Sequence, residues 1–243
     1  MTRTFAIATR LAAWTAGAAL AALPMFAANA NEGAPAKLSG VGAPDISGVW
    51  QVVKYEKSIR TVDGKKPPLK PEALEKYERN LKERKDLRPK NDMARCVPNG
   101  TPRIMWNPKP MMILQTPRKV TFVHEYQHLL RHVYMDEPAP KLEDVDSSFM
   151  GESAGRWEGE TLVIETVGLN DQTVLDRSGL PHSKSLRVTE RLRVLNGGKR
   201  LEDLVTIDDP ETFTEPWTTR VIFQRKPGLE LKEYHCTLVH EDL

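Results

Sequence analysis

The chain has little of several things. Its 243 residues include two cysteines, 7% aromatics and a formal net charge of only +2. Near-neutrality argues against a nucleic acid or an anionic membrane surface held by bulk charge. Cys96 and Cys236 are too few, and too far apart, to make a zinc site by themselves. No apolar run reaches the roughly 20 residues that cross a bilayer as a helix. The longest, Leu11 to Phe26, has 16. Only one segment has helical spacing, which leaves no room for a series of βα units, and no internal repeat is evident.

What is present begins with an export signal. Arg3 and Arg10 precede the apolar run, and Ala28-Asn29-Ala30 is a small-x-small cleavage site, so residues 1–30 read as a signal peptide and the mature chain starts at Asn31. The expected location is the periplasm or the medium, with no stable membrane insertion after cleavage. The chain has 35 Lys+Arg and 33 Asp+Glu, and the signal contains two arginines and no acid, so the mature part balances at 33 against 33. In an exported chain two cysteines suggest one disulfide, Cys96 to Cys236. It would close a loop of about 140 residues and add on the order of 5 kcal/mol.

Residues 31–44 read as a flexible arm, and 45–243 as a single β domain. Pro71 to Arg88 is the helix. Pro71 suits its first position, and Glu72/Lys76, Glu75/Arg79 and Glu78/Lys82 are four apart in the favourable order. Leu74, Tyr77 and Leu81 form a narrow apolar stripe, which places the helix on the outside. Strand patterns occupy 45–55, 111–116, 119–125, 129–136, 161–167, 186–195, 201–208, 218–226 and 230–239, with Asn196-Gly197-Gly198 as a hairpin turn. Many short, closely spaced strands with one helix predict a mainly β fold, a single antiparallel barrel.

Two strings imitate catalytic motifs. His124-Glu125-Tyr126-Gln127-His128 matches the zinc-protease pattern, which needs both histidines on one helix face. Here Val120, Phe122 and His124 alternate with Thr121, Val123 and Glu125, a strand period, so the string reads as a β-hairpin containing three histidines with His132. Gly151-Glu152-Ser153-Ala154-Gly155 matches the nucleophile elbow, which needs a helix after it. A turn and a strand follow instead.

Strand alternation also shows which charges face inward. Glu190 shares a face with Leu186, Val188, Leu192 and Val194, while Arg187, Arg191 and Arg193 take the other. His124 lies with Val120 and Phe122, and Arg131 with Val133 and Met135. Glu165, inside an apolar run, raises the same question as Glu190. A buried carboxylate must be paired or have a raised pKa. His182 lies in the loop 179–185 ahead of the Glu190 strand, in position to act as a general base at a barrel mouth.

Several strings resemble a family of exported bacterial proteins of unassigned function. They include Asp92 to Arg103, Glu125 to Arg131, Gly179 to Ser183, Asp208-Asp209-Pro210 and Glu233 to Cys236. The most specific is Gly155-Arg156-Trp157-Glu158-Gly159-Glu160-Thr161-Leu162-Val163. The likeness covers residues 45–238 and implies an exported, β-rich protein. Ser47-Gly48-Val49-Trp50 is similar to the opening of lipocalin-like barrels, which implies a ligand cup. The combined expectation is a barrel taking a small, apolar or aromatic molecule without cofactor or metal. His182 and Glu190 are its candidate acid/base groups, and His124, Arg131, Trp157 and Arg191 its candidate ligand contacts. A pure carrier and a zinc protease are the alternatives.

Overall fold

The structure is a computed structural model that describes residues 43–86 and 96–234. The expected signal, nearly all of the arm, and Cys236 lie outside the described residues.

Nine strands close into a barrel: β1 (Gly48–Val52), β2 (Met111–Gln115), β3 (Lys119–His124), β4 (Leu130–Met135), β5 (Glu152–Glu158), β6 (Thr161–Val167), β7 (Arg187–Leu195), β8 (Arg200–Asp208) and β9 (Trp217–Arg225). Each pairs with the next in sequence, and β9 returns to β1. Every junction is antiparallel except β4 to β5, which is parallel, with Val133 opposite Ser153 and Met135 opposite Gly155. Parallel neighbours need a crossover, and residues 136–151 supply it. This one pair departs from the expected all-antiparallel barrel.

The alternation read from the sequence sets which side chains point inward. Val120, Phe122 and His124 on β3, Arg131, Val133 and Met135 on β4, and Val188, Glu190 and Leu192 on β7 are all buried. The interior is filled. Trp50, Ile113, Val120, Phe122, Val133, Leu162, Leu192 and Val205 show no surface that a water molecule could touch. Glu165 points outward and pairs with Arg156 at 2.6 Å, which answers the question its position raised.

Two expectations about elements are corrected. Residues 156–160, expected as a turn, are the end of β5 and its two-residue turn into β6. The strand forms because Gly155 has no side chain: a Cβ there would come within 2.7 Å of Val133 Cγ1 and 3.1 Å of Met135 Sδ. Residues 230–234, expected to begin a strand, have no regular structure, and 235–239 lie outside the described residues.

The strand directions give the barrel two unlike ends. Short turns at 116–118, 159–160 and 196–199 close one. The other carries the segments 96–110, 125–129, 168–186 and 209–216. The helix, α1 (Pro71–Asp86), lies outside against this second set. Tyr77 Oη is 2.6 Å from Ser178 Oγ, and Asn80 Nδ2 donates to the Gly179 carbonyl at 2.7 Å.

Candidate functional site

The two imitation motifs take their places in the barrel wall. His124 ends β3, residues 126–128 form a single turn, and β4 returns. His128 Nε2 accepts from the Tyr234 amide at 2.8 Å, and Glu125 takes the Lys232 amide at 3.0 Å and Lys109 Nζ at 3.1 Å. His124 and His128 therefore do not share a helix face, and no group of metal-ligating side chains forms among the described residues. Ser153 lies within β5, bonded to Thr166 Oγ1 at 2.8 Å and accepting from Arg131 Nε at 3.3 Å. It is a strand serine, with no turn to expose it.

In the middle of the barrel Arg131, on β4, meets Glu190, on β7. Nη1 donates to Glu190 Oε1 at 2.9 Å, Nη2 donates to Oε2 and to Thr166 Oγ1 (2.8 Å), and Phe122 lies under the guanidinium at 5.6 Å. Both residues are essentially unexposed. The fork of Arg131 engages both oxygens of Glu190. The candidate acid/base group Glu190 and the candidate ligand contact Arg131 are thus brought together as an internal pair. Removing one member of such a pair costs about 3–5 kcal/mol, because the other is left charged and buried.

Beside them is a residue the sequence reading missed. Asp203, on β8, is fully buried, and neither of its oxygens has a hydrogen-bond donor. Burial pushes its pKa well above the ordinary carboxylate value, and the charge of Glu190 pushes further against a weaker pull from Arg131. The signal was in the sequence: Leu201, Asp203, Val205 and Ile207 alternate on one face, by the rule that exposed Glu190.

His124 is buried next to this cluster, stacked on Phe122 at 6.5 Å. Burial, and secondarily the positive charge of Arg131, lower its pKa to about 3, so it is a neutral imidazole at physiological pH. Trp157 points inward and is half-buried near the short-turn end. Arg191 is on the outer face, paired with Glu158 at 2.8 Å. The pleat turns this candidate ligand contact away from the interior.

His182 is not an exposed loop residue. Two carboxylates knot the loop around it. Asp176 accepts from the amides of Ile59, Gly179 and Leu180, and Asp209 accepts from the amide and hydroxyl of Ser183. His182 is buried between them, with Nδ1 3.0 Å from the Ser183 carbonyl and Nε2 2.7 Å from Thr173 Oγ1. Burial lowers its pKa, offset in part by the Ser183 carbonyl and by Asp209. It shares no contact with Glu190, so the two expected acid/base groups are not brought together.

Among the described residues three further buried polar atoms have no partner: His124 Nε2, Trp217 Nε1 and Thr101 Oγ1. All belong to the loop-bearing end. His124 closes β3, Trp217 opens β9, and Thr101 is in the segment entering β2. That segment joins the parts of this end, since Gln127 bonds the Val97 carbonyl and the Asn99 amide, and Gly100 packs on Thr173. A separate cleft of about 270 Å³ lies outside the barrel over the β4/β5 junction, lined by Tyr134, Glu137, Pro138, Pro140, Glu152 and Ser153.

Fold and site together define a closed nine-stranded barrel with the Arg131–Glu190 pair and Asp203 buried in its core and a polar, loop-built end. No protein-family model, no curated protein and no solved structure matches the chain.

Proposed function

We propose that this protein is exported, as its opening residues and its likeness to the exported family suggest, and holds a small, largely apolar molecule at the loop-bearing end of the barrel. A closed barrel is compatible with small-molecule binding, and the filled core directs such a molecule to an end. The observation that carries the reading is the set of orphaned atoms there. An unsatisfied buried donor or acceptor costs about 1–3 kcal/mol, and Trp217 Nε1, His124 Nε2 and Thr101 Oγ1 share this end. A ligand with uncharged polar atoms would satisfy them. A charged one is disfavoured, because Arg131 is already committed and His124 is neutral.

The proposal includes the Cys96–Cys236 disulfide. Its support is proximity. The amides of Lys232 and Tyr234 bond to Glu125 and His128, while Val97 and Asn99 bond to Gln127 of the same turn. Both cysteines are within two residues of those contacts in sequence.

The test is native mass spectrometry of the protein recovered from its exported fraction, compared with its denatured mass. The expected result is a small organic adduct that is depleted in His124→Phe and in Trp217→Phe, the latter keeping the ring that packs on Phe213. A bare chain, or a zinc adduct that disappears in the doubly substituted His124→Ala, His128→Ala chain, would overturn the reading.

A further inference from the structure

Thr173 and His182 have the geometry of a nucleophile with its base. The hydroxyl is 2.7 Å from Nε2, and Nδ1 is 3.0 Å from the Ser183 carbonyl. A carbonyl oxygen can only accept, so it fixes the proton on Nδ1 and leaves Nε2 with a lone pair directed at the Thr173 hydroxyl. A hydroxyl, an imidazole within hydrogen-bond reach, and a third group orienting that imidazole are the three parts of an activated nucleophile. The base is sealed at 3% exposure, whereas Thr173 is half-buried and retains access to solvent. Burial favours the neutral, proton-accepting imidazole.

The surroundings suit acyl chemistry. Gly100 has no side chain and lies against the hydroxyl; a Cβ there would be 3.5 Å from Thr173 Oγ1 and 2.7 Å from the Phe149 carbonyl. The next residue, Thr101, carries one of the orphaned buried hydroxyls. Leu175 and Leu180, both buried, flank the segment and make its walls apolar.

We propose that Thr173 and His182 hydrolyse a small, mainly apolar carboxylic ester by way of an acyl-threonine. Thr173 Oγ forms a bond to the acyl carbon while His182 Nε2 takes the hydroxyl proton. The ester C–O bond breaks, and that proton passes to the departing alkoxide. Water then attacks the acyl-threonine and gives a proton to Nε2. The carboxylic acid leaves, and the proton returns to Thr173. No oxidant or reductant is needed. The inference rests on the binding reading, since it concerns the same end of the barrel.

The experiment uses the full chain with p-nitrophenyl butyrate, following both p-nitrophenolate release and the intact mass. A rapid burst with a butyryl adduct on Thr173 is expected, retained in Thr173→Ser. In Thr173→Val and His182→Gln release should fall by about 10²–10⁴-fold. The acid limb of the rate should lie below the ordinary imidazole value. The groups facing His182 are Asp209 and Asp171 from the loops and Lys76 from α1. Release that survives Thr173→Val, or the absence of any acyl adduct on a folded chain, would overturn the proposal. Native spectra of the same samples separate the two readings. A bound molecule with an inert Thr173 defeats only the acyl transfer, and a bare chain defeats both.

Discussion

His124 and Asp203 occupy one interior and titrate in opposite senses. The folded chain keeps His124 neutral down to about pH 3, against an ordinary 6.5. Between those values the unfolded chain binds the extra proton, so this residue's contribution is present above pH 6.5 and is lost as pH falls. Asp203 is raised above 3.8. There the folded chain binds the extra proton, so its contribution is present below pH 3.8 and is lost as pH rises toward the folded value. Each slope is limited to about 1.4 kcal/mol per pH unit. Denaturant midpoints across pH should show His124→Phe flattening the loss toward acid and Asp203→Asn flattening the decline as pH rises above 3.8. An unchanged decline in Asp203→Asn would mean that Asp203 is ionised in the fold.

Among the elements, β4 and β5 are joined under a local steric constraint. Their parallel ladder runs only from Val133/Ser153 to Met135/Gly155, and it closes because Gly155 gives way to Val133 and Met135. Gly155→Ala should cost about 1–3 kcal/mol through overpacking. Gly197, in the β7–β8 turn at φ +61°, has open space where a Cβ would be. Gly197→Ala there should cost about 1 kcal/mol, from backbone strain alone. Urea titrations of the two variants separate packing from conformation. Equal losses would show that the space at Gly155 is not limiting.

At the scale of the molecule, closure depends on the β1–β9 seam, and Arg225 fastens it. Its Nε donates to the Gly198 carbonyl at 2.7 Å, Nη1 to that of Ser47 and Nη2 to that of Asp45 at 3.2 Å, and the guanidinium lies 4.3 Å over the Trp50 ring. One side chain thus joins the segment before β1, its own strand β9 and the β7–β8 turn. Arg225→Ala should lower stability by about 1–3 kcal/mol and speed amide exchange at Trp50 and Val52 more than at β7 and β8. Uniform acceleration would mean that the seam opens only when the whole barrel does.

Much was legible in the order of residues. Strand patterns located eight of the nine strands, Pro71 and the four-apart charge pairs located the helix, and period-two alternation gave the inward positions of Arg131, Glu190 and His124, because a strand's faces are set by the pleat alone. The same rule argued against a helix at His124 to His128. Tertiary structure decided the rest. β5 exists only where Val133 and Met135 fill the space at Gly155. Glu190 meets Arg131 only because closure brings β4 across to β7, and the same closure buries Asp203 beside them. His182 gains Thr173 through the knots at Asp176 and Asp209, which no spacing in the chain announces. Local order determines the direction of a side chain. Which group it meets depends on long-range closure.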